Sequence, residues 1–333
     1  MNWTRLVKFI PLSLTLLLML FTMIIMIYGV LGTSPTPLIN VGDDGLDENR
    51  QAGLSAVPDL PDFPDFPGTK PASSGEGDFV TVQMTEADIY RGNLILINHN
   101  NSYEIPDEDN LVKIDELKTS SYMVADSTDG VLLLSGTVIE PLNEMMDAFY
   151  NETGCDTVAV VSAFRDYQHQ REILDYYISI VGLVEAKKWA ASPGHSEHHT
   201  GLAVDFGVFQ DGTLNTFYQT GVNEWFFLNS DRYGFIPRYP SNKTDITRTA
   251  SEPWHFRYVG LPHAYFIRLS GLCFEEYIEF IRDFTRDKPF RGTFDGEEYK
   301  VYFTQDTDIP IPDGFEADIS GNNIDGFIVT IKR

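Results

Sequence analysis

Two short stretches, far apart along the chain, make chemical sense only side by side, and that requirement constrains the fold more than anything else in the sequence. Residues 191–205 read Ala-Ser-Pro-Gly-His-Ser-Glu-His-His-Thr-Gly-Leu-Ala-Val-Asp, and Glu252-Pro253-Trp254-His255 comes later. The first gathers imidazoles and a carboxylate among glycines and small residues. Two neutral imidazoles and one carboxylate form the ligand set of a catalytic zinc, with a fourth position left open. The second stretch adds another imidazole and, before it, a glutamate of the kind that serves as general base beside a metal. Any fold using this chemistry must bring the two stretches together. Singly, each of the seven histidines (His99, His169, His195, His198, His199, His255 and His263) fits a surface or hydrogen-bonded structural role. The stretch also reads as a polar loop beside a strand, but the clustering favours a metal.

Charge narrows the partners. With 49 acidic against 24 basic residues the net charge is −25, which argues against nucleic acid, since binding a polyanion needs a basic face. The length of 333 residues, 43% of them hydrophobic and 13% aromatic, suffices for one large domain or two small ones with a sizeable core.

The amino-terminal part is organised differently. Arg5 and Lys8 precede an uncharged, mainly apolar run from Phe9 to Leu31, and no charge follows until Asp43. About 20 apolar residues cross the hydrocarbon core of a bilayer. A cleaved secretory signal is the rival, but its apolar part is shorter and ends at a small-x-small site; Tyr28-Gly29-Val30-Leu31-Gly32-Thr33-Ser34 offers no clear Ala-x-Ala. The expectation is a cytoplasmic tail over 1–8 and a single membrane anchor over 9–31. Basic residues before the span and Asp43, Asp44, Asp47 and Glu48 after it put the rest of the chain outside the cytoplasm. The Pro-, Asp- and Gly-rich residues 32–78 lack core-forming positions and read as a disordered linker.

From 79 onward the pattern becomes that of a folded body. Leu94–Ile97 reads as a short apolar strand, and Val131–Leu134 as another or as the approach to a helix. Thr137 and Glu140 suggest a capping box ahead of a helix whose core face carries Val138, Leu142, Met145, Met146 and Phe149. Asp156–Ala163 reads as a buried strand, and Ile173, Leu174, Tyr177, Ile178 and Val181 as the apolar stripe of a second helix. Leu261–Leu269 and Phe274–Phe284 read as helices. The alternation predicts an α+β domain with its site where strands end. Residues 292–333 hold alternating or apolar runs between Asp-, Pro- and Gly-rich turns, expected to form a small C-terminal β appendage.

Between the buried strand and the second helix lies Ser162-Ala163-Phe164-Arg165-Asp166-Tyr167-Gln168-His169-Gln170. An arginine there either holds a substrate carbonyl or carboxylate through its forked donors or pairs with a surface acid. Cys155 and Cys273 are the only cysteines, and outside the cytoplasm they permit one disulfide.

These stretches carry a specific resemblance. Ser196–Asp205 matches S-x-H-x-x-G-x-A-x-D, Glu252–His255 matches E-x-W-H, and Ser162–Gln170 looks like S-x-[YF]-R-x-[YF]-x-x-Q. Together they resemble the zinc D-alanyl-D-alanine carboxypeptidases of the VanY type, which are related to the D-Ala-D-Ala dipeptidases. The resemblance spans roughly 94–280. It implies a single zinc-peptidase catalytic domain over 79–291, with an antiparallel sheet and flanking helices. It also implies His198, Asp205 and His255 as Zn2+ ligands, Glu252 as general base and Arg165 as the group that polarises the scissile carbonyl. Ser196 and Gln170 become candidates for substrate contact or support. His199, beside a ligand, is expected to point away from the metal, and Trp254 to form wall. The implied substrates are peptidoglycan stem peptides or lipid-linked precursors ending in D-Ala-D-Ala. An L,D-carboxypeptidase, a D,D-dipeptidase and a non-catalytic wall-binding module are the alternatives.

Overall fold

The computed structural model describes residues 78–103, 108–125 and 131–333. The expected cytoplasmic tail, anchor and linker lie, apart from Asp78, outside these residues, and no described helix is long and apolar enough to cross a membrane. The chain runs through β1 (Phe79–Gln83), β2 (Leu111–Lys113), β3 (Met123–Val124) and β4 (Leu133–Ser135) to helix α1 (Ile139–Thr153). After β5 (Val158–Ser162) and helix α2 (Tyr167–Val181) come β6 (Ala203–Gln210), β7 (Thr213–Thr216), β8 (Phe235–Tyr239) and β9 (Glu252–Tyr258). Helices α3 (His263–Ser270) and α4 (Phe274–Ile281) precede β10 (Phe290–Phe294), β11 (Glu297–Thr304), β12 (Asp308–Pro312), β13 (Glu316–Gly321) and β14 (Phe327–Lys332).

The sheet that matters for function has the order β3-β5-β6-β9-β8, with β7 also paired to β6. Its pairs are antiparallel except β3–β5. The expected antiparallel sheet is therefore mixed, because the chain passes through α1 between β3 and β5, a crossover long enough to return parallel. The first five residues of β6 are buried, as suits a central strand covered on both faces. Helix α1 turns Leu142, Met145, Met146 and Phe149 inward, the three- and four-residue spacing of one helix face. Beneath the sheet Phe206, Phe217, Phe226 and Phe256 pack with ring centroids 5.2–6.2 Å apart. Each such side chain contributes about 1.5–3 kcal/mol on burial.

Two local expectations are corrected. Helix α1 takes Val138 as its N-cap without a side-chain cap, and Thr137 Oγ1 instead lies 2.9 Å from Ser135 Oγ. Val138 is fully buried, so core packing rather than a capping box sets where the helix starts. Leu94–Ile97 is buried but belongs to no strand. Its backbone is satisfied by side chains and a turn: Leu94 N–H donates to Ser320 Oγ at 2.9 Å and Leu96 N–H to Asn322 O at 3.1 Å.

Those partners come from the C-terminal strands, which form a four-stranded sheet in the order β10-β11-β14-β13, while β12 pairs with β1. The turn between β13 and β14 clasps residues 89–102, with Asn323 Nδ2 donating to Leu96 O and Ser102 O at 2.9 Å each. Gly321 sits where a Cβ would strike the carbonyl oxygens of Ile89 and Asp88. Gly321→Ala is expected to cost about 1–3 kcal/mol by overpacking against backbone that has little room to yield. A thermal melt should then shift down by several degrees; an unchanged midpoint would show that the clasp is loose.

The disulfide that the two cysteines permit is not formed: Cys155 and Cys273 are free thiols. Each sulfur belongs to its own surroundings. Cys155 Sγ lies 3.3 Å from Thr157 Oγ1, whereas Cys273 is the N-cap of α4, its N–H donating to Glu276 Oε2 at 2.8 Å. Burial pushes the Cys273 thiol up to about 12.

Candidate active site

Asp205 stands on β6 with a partner on either side, opposite Ser162 of β5 and opposite His255 of β9. Antiparallel pairing thus brings the two distant stretches together. His198 arrives from a short 3-10 turn, Glu197–Thr200, closed by Gly201 at φ +66°. A Cβ on Gly201 would lie 2.8 Å from Ser135 N, so the left-handed turn and the close approach both call for glycine. One donor atom from each of His198, Asp205 and His255 falls within 4.8 Å of the others. His198 Nε2 lies 3.2 Å from Asp205 Oδ2, and His255 Nδ1 lies 2.9 Å from Asp205 Oδ1.

The far nitrogens of both rings are tied. His198 Nδ1 lies 2.5 Å from Ala163 O; a carbonyl only accepts, so Nδ1 carries the proton and Nε2 keeps its lone pair. His255 Nε2 lies 3.2 Å from Glu197 Oε2, which leaves Nδ1 toward Asp205. Both rings are thereby oriented as metal-ligating histidines are, each with its outer nitrogen held by an oxygen. Burial lowers His198 to about 4, against the pull of Asp205. Burial also disfavours the charged His255, but the bonds to Asp205 and Glu197 outweigh it and bring this ring to about 9. Burial opposes the Asp205 charge as well, yet His198 and His255 hold its carboxyl well below the usual range. Two ring nitrogens and a carboxylate, converging and buried, fit Zn2+. A metal ion held there would compete with protons for the same donor atoms.

Glu252 opens β9. The pairing of β9 with β8 slips between Pro237↔Phe256 and Tyr239↔Glu252, so β9 carries extra residues around Pro253. That bulge removes the simple alternation, so Glu252 and His255, three apart, need not face opposite sides of the sheet. Burial, aided by the charges of Asp205 and Glu197 and opposed by His255 and Arg165, raises the Glu252 carboxyl to about 8. Arg165 is no surface ion pair. Its Nη2 lies 3.9 Å from Asp205 Oδ2 with only 13% of the side chain exposed, and its guanidinium donates to Ser162 Oγ at 2.9 Å and to Gln170 Oε1 at 2.8 Å.

A family model described as VanY: D-alanyl-D-alanine carboxypeptidase matches residues 132–261. A D-alanyl-D-alanine carboxypeptidase of Enterococcus faecium is 33% identical over 257 residues, 74% of this chain and 78% of its own length. The chain belongs to the VanY family. It is accordingly a metallo-carboxypeptidase, a hydrolase. Among solved structures, the vancomycin resistance D,D-dipeptidase VanXYg in complex with a D-Ala-D-Ala phosphinate analogue aligns with a TM-score of 0.68 at 31% identity, covering 77% of this chain and all of that one. The LdcB LD-carboxypeptidase aligns with a TM-score of 0.50 at 34% identity, covering 61% of this chain and 94% of that one.

Within this VanY-family site the remaining candidates have definite places. Gln170 is 1% exposed, and its amide joins Arg165 to Ala191 O, with Nε2 donating at 2.8 Å. Ser196 is buried as the N-cap of the turn that carries His198, its side chain making no capping bond. His199 turns away from the cluster of His198, Asp205 and His255. Its Nδ1 lies 2.6 Å from Arg165 O, its Nε2 accepts from Gly194 N–H at 3.0 Å, and its ring stacks on Tyr167 at 4.3 Å. Trp254 is partly buried against the main core.

Glu197 is the residue that the sequence reading passed over. It occupies a variable position of the motif, yet its side chain is fully buried between Arg238 and Arg257, whose guanidiniums reach its Oε1 at 2.8 and 3.2 Å. The signal was present elsewhere. Arg238 and Arg257 stand on adjacent strands amid Phe235, Ile236 and Phe256, and two arginines in such company require a buried acid.

Proposed function

We propose that this VanY-family enzyme removes the terminal D-alanine from peptidoglycan stem peptides, or their lipid-linked precursors, that end in D-Ala-D-Ala. In this reading His198, Asp205 and His255 hold zinc, while Glu252 and Arg165 act on the substrate. The observation that carries it is the convergence of the three donors, each ring oriented by an oxygen behind it. Zinc, when bound, supplies the Lewis acidity that activates water near neutral pH and polarises a carbonyl. The Glu252 carboxylate takes the proton of the attacking water at an Oε and returns it to the amine of the departing D-alanine. Arg165, fixed by Ser162 and Gln170, places guanidinium N–H groups where negative charge builds on the carbonyl oxygen. Residues 9–31 would anchor the chain in the membrane, with the catalytic residues on the extracytoplasmic side, as the apolar run and its flanking charges favour.

The likeness to a D,D-dipeptidase and to an LD-carboxypeptidase makes those two specificities the rival readings. The test is to incubate the zinc-loaded full chain separately with a pentapeptide stem ending in D-Ala-D-Ala, with the corresponding tetrapeptide and with free D-Ala-D-Ala. Release of free D-alanine from the pentapeptide is the expected result. Cleavage of the tetrapeptide alone would make the enzyme an L,D-carboxypeptidase. Hydrolysis of free D-Ala-D-Ala, with both stems untouched, would make it a dipeptidase.

A further inference from the structure

We propose that Glu197 is a positioning residue for the metal centre. It fixes His255 in the tautomer whose Nδ1 faces Asp205, and two buried arginines hold it to that task. This inference rests on the reading of His198, Asp205 and His255 as metal ligands, and concerns how one of them is kept ready. The two oxygens of Glu197 have divided roles. Oε1 accepts from Arg238 Nε at 2.8 Å and Arg257 Nη1 at 3.2 Å, and Oε2 faces His255 Nε2 at 3.2 Å. A carboxylate in this setting only accepts, so Nε2 must carry a hydrogen and the free lone pair of the neutral ring falls on Nδ1.

The carboxylate cannot turn away from this duty, because both guanidiniums are themselves pinned. Arg238 donates through Nη1 and Nη2 to Glu275 of α4 at 2.8 and 2.6 Å. Arg257 donates through Nε to Tyr258 O at 2.9 Å and through Nη2 to Asn93 O and Ile95 O at 3.0 Å each. All three side chains are fully buried. Such an assembly is costly to desolvate and is weak as a source of stability, so its geometric precision at the back of a ligand is its functional content. His198 is oriented by a main-chain carbonyl, which no substitution removes. His255 is oriented by a side chain, and so can be tested.

Glu197→Gln is the informative change. Facing two guanidiniums, the amide must present its oxygen to them, which aims its NH2 group at His255 Nε2. The ring then needs its lone pair on Nε2 and its hydrogen on Nδ1, the nitrogen meant for the metal. The full chain, with 15N-labelled histidine, would be loaded with 113Cd as a spin-active substitute for zinc, and zinc affinity measured by chelator competition. In the wild type, 113Cd coupling is expected at His255 Nδ1, with a proton on Nε2. In Glu197→Gln, zinc should bind on the order of 10- to 100-fold more weakly, with the His255 coupling lost or diminished. A variant that melts earlier but binds zinc within threefold of the wild type would overturn the proposal and leave Glu197 a structural residue. If the variant does not fold, the wild-type spectrum still decides, since coupling at Nε2 of His255 contradicts the assigned tautomer. Failure of the wild type to bind cadmium or zinc at all would instead remove the metal-centre reading, and this inference with it.

Discussion

Glu252→Gln should reduce kcat by a factor of ~10² to 10⁴, the usual contribution of a positioned general base, while leaving metal content near that of the wild type. Glutamine keeps the volume and the hydrogen-bonding reach of glutamate but cannot take up a proton. Glu252 is not one of the three converging donors, so the metal site should survive. KM should change little, because the lost interaction is one made in the transition state. The pH profile supplies a second check. A base works when ionised, so activity must rise with pH through its pKa and fall away on the acid side. Burial raises this carboxyl to about 8 in the metal-free cluster, and a dication beside it pulls the value down again. The acid limb of kcat/KM should therefore lie below 8, and it should vanish in the glutamine variant. Turnover within tenfold of the wild type, with the acid limb intact, would remove Glu252 from the mechanism and direct attention to another acceptor.

The site was legible in the sequence where function had fixed residue types within one short stretch, as at His198–Asp205 and Glu252–His255, and where period gave away an element, as in α1 and α2. It became illegible where the partner lies elsewhere in the chain. Glu197 looks like filler between Ser196 and His198 until β8 and β9 bring Arg238 and Arg257 over it. Leu94–Ile97 has the composition of a strand, and it is as buried as one. Its hydrogen bonds go to Ser320, Asn322, Asn323 and Arg257 rather than to a ladder, and no local pattern announces that. The two cysteines failed as a pair for a similar reason, since their count says nothing about their distance in space. Gln170 and His199 illustrate an intermediate case: their motif places them near the chemistry, and only coordinates show that they hold Arg165 in place by its side chain and its carbonyl.

Arg238→Met should destabilise the fold by about 3–5 kcal/mol, the cost of leaving a buried charge without its partner. Methionine fills much of the same space, so the loss is electrostatic rather than a cavity. Arg238 is the cation shared by two acids, Glu197 at 2.8 Å and Glu275 at 2.6 Å, and its side chain has no exposed surface. Without it Glu197 retains Arg257 as its one guanidinium, beside the His255 ring, and Glu275 retains the amide of Asn98 at 3.3 Å. The sign of the pH dependence follows from the direction of the shifts. Burial works against both carboxylates, but Arg238, with Arg257 and His255 at Glu197, holds each below its ordinary value. Groups of that kind stabilise the fold fully above their unfolded pKa, near 4.5, and lose the contribution as pH falls through the folded value. The difference in stability between wild type and Arg238→Met should therefore be largest at neutral pH and shrink toward acid, as the orphaned carboxylates protonate in the variant. Denaturant titrations of the zinc-free proteins at pH 7 and near pH 4 would measure both. A penalty below 1 kcal/mol at pH 7 would mean that water reaches the pair and that the network behaves as a surface ion pair does. A penalty of the expected size that does not shrink in acid would point to lost packing around Phe274 and Tyr239, over which the guanidinium lies, and not to the two acids.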